Sequence, residues 1–200
     1  MNEAQFERLL NINTAGFQHG FPKLTQYHRY EPTPYEGLEQ LFEQYELPEK
    51  ARVIDIGCGK GRVPIYMHYR FHIPTSGIEM DQKFFFEAAN NRELYLEKAK
   101  KKHLPITFLH MLAEKYEINA RDNVFFFFNP FSIHIFRQVM SNILYSYEQY
   151  PREIHLIMYY PAYEYMAYLE YETAFERLVE VKLANEKNEN ERIVVFTLNG

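Results

Sequence analysis

Short apolar runs alternate with longer stretches of helical periodicity from residue 52 onward. Five of these runs predict strands, at residues 52–56, 75–79, 106–109, 124–128 and 154–160. Helices are predicted after them, beginning near Gly61, Asp81, Glu114, Ser132 and Ala162. Because strands that alternate with helices form parallel sheets covered on both faces, the pattern indicates an α/β fold. The run at 124–128 has no polar position, so it predicts a central strand.

Both ends of the chain depart from this alternation. Residues 1–50 predict an N-terminal helical extension, including a helix over 35–45 that Thr33 is placed to cap. Apolar residues 178–183 and 193–198 flank a polar stretch and predict a C-terminal antiparallel hairpin. Taken together, these elements predict a doubly wound, mostly parallel seven-stranded sheet. Residues 51–200 are predicted to form the catalytic domain of a single globular unit. A nicotinamide-binding domain differs, because its sixth strand is parallel.

Charge and composition narrow the classes of function. A hydrophobic content of 46% is enough to bury a sizeable core. The formal net charge of −5 provides no overall positive field, so a nucleic-acid partner is disfavoured unless a local patch binds it. Cys58 is the single cysteine, which excludes an internal disulfide and a multi-cysteine zinc site. Neither an export signal nor an apolar run of about 20 residues is found, which predicts a cytoplasmic protein without membrane contact.

A glycine-rich turn follows the first predicted strand, in the sequence VIDIGCGKGR at 53–62. Asp55 lies near the end of the strand, and Gly57, Gly59 and Gly61 follow at alternate positions. Glycines let the backbone approach a ligand, and the helix behind them offers free N–H groups and a positive dipole end. The dinucleotide fingerprint requires Gly-x-Gly-x-x-Gly, whereas here the third glycine comes one residue early.

This turn resembles the first motif of class I S-adenosylmethionine-dependent methyltransferases, hydrophobic-Asp-hydrophobic-Gly-x-Gly-x-Gly. The resemblance implies a Rossmann-like methyltransferase fold with S-adenosyl-L-methionine as the cofactor. It also implies that the turn holds the methionine part of that cofactor. The cofactor-binding residues predicted there are Asp55, Gly57, Cys58, Gly59 and Gly61.

Two later strand ends are predicted to hold the rest of the cofactor. Glu79 ends the second strand, where an acidic group can accept both ribose hydroxyls, and Asp81 is placed as a helix N-cap. After the third strand, Leu112 and Ala113 are predicted beside the adenine, supplying backbone N–H groups and apolar contact. Leu112 occupies the position where the family has an aspartate, and Glu114 is the alternative acidic group.

The fourth predicted strand leads into Asn129, Pro130 and Phe131. This sequence is similar to the Asn/Asp-Pro-Pro-Tyr/Phe motif of amino-methyltransferases, with one proline missing. The resemblance implies that Asn129, which also borders the cofactor, and the Pro130 carbonyl accept hydrogen bonds from a substrate amino group. Phe131 would stack on a planar substrate. The alternative is a rigid turn at the edge of the cofactor.

Together, the FFNPF and GCGKGR sequences resemble a group of small bacterial methyltransferases with mostly unassigned substrates. In that group a segment like residues 28–35, HRYEPTPY, is predicted to cover the cofactor; the alternative is a connector stiffened by proline. His134 is the histidine placed to act on a substrate proton, although a surface position is favoured for it. His68 and His72 have zinc-site spacing but lack a third ligand, so no metal is predicted.

The predicted reaction is methyl transfer to an amino nitrogen of an unidentified acceptor. Within the same enzyme class, transfer to oxygen on a small molecule or sugar is the competing hypothesis. Outside it, the alternatives are a protein that binds S-adenosylmethionine without turnover and a nicotinamide-dependent reductase. The sequence gives no basis for an oligomeric state.

Overall fold

The computed structural model describes residues 1–16, 26–100, 105–183, 188 and 190–199. Within these residues the strands are β1 Val53–Ile56, β2 Thr75–Glu79, β3 Ile106–His110, β4 Val124–Phe128, β5 Ile154–Tyr159, β6 Glu176–Lys182 and β7 Arg192–Leu198. The α-helices are α1 Glu3–Leu10, α2 Tyr35–Gln44, α3 Arg62–Phe71, α4 Gln82–Ala99, α5 Ile133–Gln149 and α6 Tyr163–Glu172.

One sheet has the strand order β3-β2-β1-β4-β5-β7-β6. β1 pairs in parallel with both β2 and β4, and β7 runs antiparallel between β5 and β6. The predicted sheet and its terminal antiparallel pair are therefore confirmed. The polar stretch of the predicted hairpin, 185–190, lies largely outside the described residues. Strand order reverses between β1 and β4, and such switch points are where open α/β sheets bind ligands.

Helices cover both faces of the sheet, as the apolar strands require. On β4, Phe126 packs with residues of α1 to α4, whereas Phe125 and Phe127 pack with residues of α5 and α6. All three phenylalanine side chains are fully buried. Alternate residues of a strand point to opposite faces, so an uninterrupted apolar run is what a strand covered twice needs. No helix within the described part of the chain is long and apolar enough to cross a membrane.

Two helix predictions were wrong in detail. The helix expected near Glu114 is a single 3₁₀ turn, Ala113–Lys115, because Asp122 folds the following chain into a tight loop by accepting from the Tyr116 hydroxyl and the Asn119 N–H. The N-cap of α2 is Pro34, without a side-chain hydrogen bond, so Thr33 does not cap it.

The N-terminal segment is fastened to α3 by the buried guanidinium of Arg62. This group donates to Glu3 Oε2 (2.5 Å), to the Thr33 carbonyl (2.8 Å) and to Thr14 Oγ1 (2.6 Å), and pairs with Glu7 (3.2 Å). The Arg62 side chain is 4% exposed and that of Glu7 is 13% exposed. One side chain therefore holds three parts of the first 50 residues against the start of α3. A division of the chain into residues 1–50 and 51–200 stays a prediction.

We expect Arg62→Met to lower the free energy of unfolding by about 3–5 kcal/mol, because it leaves the Glu7 carboxylate buried without its partner. Urea denaturation followed by circular dichroism measures the change. Arg92→Met is the matched control, because Arg92 pairs with the mostly exposed Glu93, and its loss should cost at most about 1 kcal/mol. Equal losses in the two variants would contradict the role given to Arg62.

Candidate active site

A cavity of about 410 Å³ opens at the carboxyl ends of β1, β2 and β4, at the switch point of the sheet. Its volume lies within the ~300–1,000 Å³ that small-molecule sites span. Its walls come from the turn after β1, the ends of β2 and β3, the turn after β4, and residues 27–33 of the N-terminal segment.

The turn after β1 is tied to β2 through its backbone. The N–H groups of Gly57 and Cys58 both donate to the carbonyl of Ile78, at 2.9 and 3.0 Å. Gly57 has φ of +83°, and a Cβ there would lie 2.8 Å from Cβ of Pro130. Glycine is therefore required by both backbone conformation and the approach of the turn after β4. Gly57 and Cys58 line the cavity, and their contact with a cofactor stays a prediction.

Gly59 and Gly61 do not line the cavity. The ring of Tyr30 lies directly over Gly59, where any Cβ would overlap it. The Tyr30 hydroxyl donates to the Thr14 carbonyl (2.6 Å), and its ring packs on Phe84 with centroids 4.8 Å apart. The N-terminal segment thus covers the middle of the glycine-rich turn, so the predicted contacts of Gly59 and Gly61 with a cofactor stay predictions.

Two buried carboxylates lie on the cavity wall. Glu79 accepts from the N–H of Gly59 (2.8 Å) and from the N–H of Asp81 (2.7 Å). Burial raises the pKa of Glu79 above its ordinary value, against the lowering effect of these backbone hydrogen bonds. Burial, and then the nearby charge of Glu79, raise the pKa of Asp55 well above its usual range. Within the described residues, neither carboxylate forms an ion pair with a cationic side chain.

The ends of β2 and β3 contribute an apolar wall. Ala113 lines the cavity, whereas Leu112 is 38% exposed and lies outside the lining. Met80 and Met111, which the sequence analysis missed, line it instead. Their positions one and two residues after predicted strands could have indicated them, since residues there reach the same sheet edge. Glu114 lies outside the lining and accepts from the Tyr27 hydroxyl (3.4 Å).

The turn after β4 brings Asn129, Pro130 and Phe131 to the cavity wall. Asn129 has φ of +39°, and its Oδ1 atom is buried without a hydrogen-bond partner among the described residues. Its backbone carbonyl oxygen lies 2.6 Å from Nδ1 of His28, at hydrogen-bond distance. The Pro130 carbonyl accepts from the backbone N–H of His28 (3.0 Å). The Phe131 ring is buried and packs edge-on against Tyr27, with centroids 6.4 Å apart. A buried amide oxygen without a donor is a place for a ligand N–H or O–H.

Comparison with solved structures identifies the fold. An RNA methyltransferase from Salinibacter ruber, in complex with S-adenosyl-L-homocysteine, aligns with a TM-score of 0.57 at 16% identity, over 84% of this chain and 94% of that one. The chain has the class I methyltransferase fold. An rRNA methylase from Streptococcus thermophilus aligns at 0.53 and 13% identity over 81% and 93%. The human methyltransferase 10 domain containing protein aligns at 0.57 and 13% identity over 98% and 93%. No family model and no curated protein matches the sequence.

Within this class I methyltransferase fold, the predicted site residues that come together around the cavity are Asp55, Gly57, Cys58, Glu79, Ala113, Asn129, Pro130 and Phe131. Residues 28–33 of the predicted covering segment also line it. His134 is exposed on α5 beside Gln138 (3.2 Å) and outside the lining. His68 is buried against Tyr95, and the described residues hold no cluster of metal-ligating side chains.

Proposed function

We propose that the protein is an S-adenosyl-L-methionine-dependent methyltransferase. The observation that carries this proposal is that one cavity is lined by the glycine-rich turn, the Glu79 carboxylate and the Asn129 turn, at the switch between β1 and β4. The solved RNA methyltransferase in complex with S-adenosyl-L-homocysteine supports the choice of cofactor. A nicotinamide cofactor is disfavoured by the spacing of the glycines and by the antiparallel β7.

The cavity residues fit this cofactor by charge. Asp55 and Glu79 are buried carboxyl groups without a cationic partner among the described residues, and the positive charges on the sulfonium and amino groups of the cofactor would favour their ionised forms. Both Glu79 oxygens accept from backbone N–H groups, and the lone pair that these groups leave unused would accept from a ribose hydroxyl. Met80, Met111 and Ala113 offer apolar contact to a planar base.

When bound, the cofactor supplies a methyl group already activated by the sulfonium charge, so the chain needs chiefly to position the acceptor and exclude water. The Asn129 Oδ1 atom is suited to that role because it is buried, faces no protein donor among the described residues, and can accept an acceptor N–H. The Pro130 carbonyl keeps one lone pair beyond the His28 hydrogen bond and would accept a second N–H. Both contacts would orient the nitrogen lone pair, which favours an amino nitrogen as acceptor.

RNA is the acceptor class that we propose to test first, because two of the similar solved structures are an RNA methyltransferase and an rRNA methylase. The net charge of −5 requires that such binding come from local contacts near the cavity. In this proposal residues 1–50 form a cover over the catalytic site in 51–200. Small amines form the second acceptor class.

Incubation with S-adenosylmethionine and an acceptor panel tests this function. The panel consists of total RNA, a short single-stranded RNA, free adenosine and cytidine, and small aromatic amines. We expect S-adenosylhomocysteine to form together with a product methylated on nitrogen, identified by mass spectrometry. A methyl group on oxygen would favour the O-methyltransferase alternative. Cofactor binding without product on any acceptor would favour a non-catalytic binding protein.

A further inference from the structure

His28 is the histidine that the fold brings to the cavity, although sequence reasoning pointed to His134. The chain around it forms an isolated antiparallel bridge, in which Tyr27 pairs with Phe131 and the Ser132 N–H donates to the Gln26 carbonyl (2.7 Å). The backbone N–H of His28 donates to the Pro130 carbonyl at 3.0 Å. Backbone contacts on both sides therefore fix the position of His28 against the turn that we propose binds the acceptor.

A hydrogen bond of the His28 ring also fixes its tautomer. Its Nδ1 atom lies 2.6 Å from the backbone carbonyl oxygen of Asn129, and a carbonyl can only accept, so Nδ1 must carry the proton. In the neutral imidazole the lone pair is then on Nε2. Nε2 makes no hydrogen bond to a described residue, and the side chain is exposed on the cavity wall. His28 thus places an imidazole at the edge of the cavity, with an Nε2 lone pair that the described residues do not use.

Methyl transfer to an amino nitrogen also releases a proton, which a base near the acceptor can take. The nitrogen lone pair forms the new N–C bond, and the C–S bond breaks with its electron pair remaining on sulfur, which becomes a neutral thioether. The acceptor nitrogen is then positively charged and must release one proton to become a neutral methylated amine. Asn129 Oδ1 can accept a hydrogen bond from the acceptor nitrogen but cannot take that proton, because an amide oxygen is not a base near neutral pH.

We propose that Nε2 of His28 accepts this proton, and that the hydrogen bond from Nδ1 to the Asn129 carbonyl holds the ring in the tautomer that can do so. This inference rests on the proposed function. The exposed imidazolium then passes the proton to water. The neighbouring charges Arg29 and Glu31 neutralise each other in an ion pair of 2.5 Å, which leaves the imidazole as the free base of this segment. The acidic groups that other elements contribute to the cavity lining are Asp55, Glu79 and Asp81.

The tautomer can be tested without an acceptor. Long-range ¹H–¹⁵N correlation spectra of the protein with S-adenosylhomocysteine, recorded above neutral pH, report which ring nitrogen carries the proton. The His28 signals are those that disappear in His28→Asn. We expect the proton on Nδ1. A proton on Nε2, with the lone pair on Nδ1, would overturn the proposal even if the protein proves to be a methyltransferase.

The chemical role is tested with the acceptor from the panel that gives the highest rate. His28→Asn keeps a donor near the position of Nδ1 but has no base, and His28→Ala has neither. We expect both variants to lose roughly 100-fold or more in kcat, with cofactor affinity retained and with partial rescue of His28→Ala by added imidazole. His134→Asn, on the exposed start of α5, is the control that should keep full activity.

The two proposals fail in different ways. Turnover by the native protein together with an active His28→Asn variant would contradict the role of His28 and leave the methyltransferase function intact. Lack of product formation by the native protein on the whole panel would count against the function, and the base would be withdrawn with it.

Discussion

Asn129→Ala is expected to reduce kcat for methyl transfer about 100-fold, while the Kd for S-adenosylmethionine stays nearly unchanged. The reason is that Oδ1 of Asn129 is the buried acceptor without a donor on the cavity wall, and misplacement of a reacting group by about 1 Å costs on the order of 10²-fold in rate. Single-turnover rates and calorimetric titration measure the two quantities separately. Unchanged kcat would remove Asn129 from the acceptor site.

Two companion variants separate the side chain from the backbone. Asn129 has φ of +39°, so alanine also introduces strain of about 1–2 kcal/mol in this left-handed conformation. Asn129→Gly removes the side chain without that strain and should lose as much activity as the alanine variant. Asn129→Asp keeps an acceptor oxygen and should retain more. Recovery of activity in the glycine variant would mean that strain, and not the missing amide, caused the loss.

Glu79→Gln is expected to raise the Kd for S-adenosylmethionine about 10- to 100-fold, since a hydrogen bond to a charged group contributes roughly 1.5–3 kcal/mol. Glutamine keeps the shape of the side chain and one oxygen for the Gly59 N–H, but it lacks the negative charge and one acceptor. Because burial raises the pKa of Glu79, affinity of the native protein should also fall as pH is lowered through that raised pKa.

Glu93→Gln is the control for this variant, since Glu93 lies on α4 with a mostly exposed side chain paired to Arg92. Its affinity for S-adenosylmethionine should equal that of the native protein. Equal affinities of Glu79→Gln and Glu93→Gln would show that the end of β2 does not bind the cofactor. Thermal unfolding of both variants without ligand checks that a change in affinity does not arise from misfolding.

The sheet could be predicted because its signals are local. The apolar run of β4 and the polar interruption before β7 are each visible in a few consecutive residues. Strands joined by helices then pair in parallel, because such crossover connections are right-handed. The residues at strand ends followed from the same reasoning. Asp55, Glu79 and Asn129 all lie where parallel strands bring their carboxyl ends to one edge.

A cover by residues 28–35 was suggested by the family resemblance, but its contacts with the site could not be predicted from local patterns. Tyr30 lies over Gly59, and His28 pairs with the Asn129 turn across about a hundred residues, through contacts that no local pattern encodes. No role was predicted for Arg62 from the sequence, yet its side chain anchors the N-terminal segment to α3. Leu112 was predicted beside the adenine from the family resemblance, and the structure leaves it 38% exposed and outside the cavity lining, just before the short 3₁₀ turn.

Calorimetric titration of the native protein with S-adenosylmethionine, S-adenosylhomocysteine and NADH tests the central claim most directly. The account predicts saturable binding of both adenosyl ligands at one site per chain and no binding of NADH. Binding of NADH without either adenosyl ligand would contradict it and would favour the nicotinamide-dependent reductase.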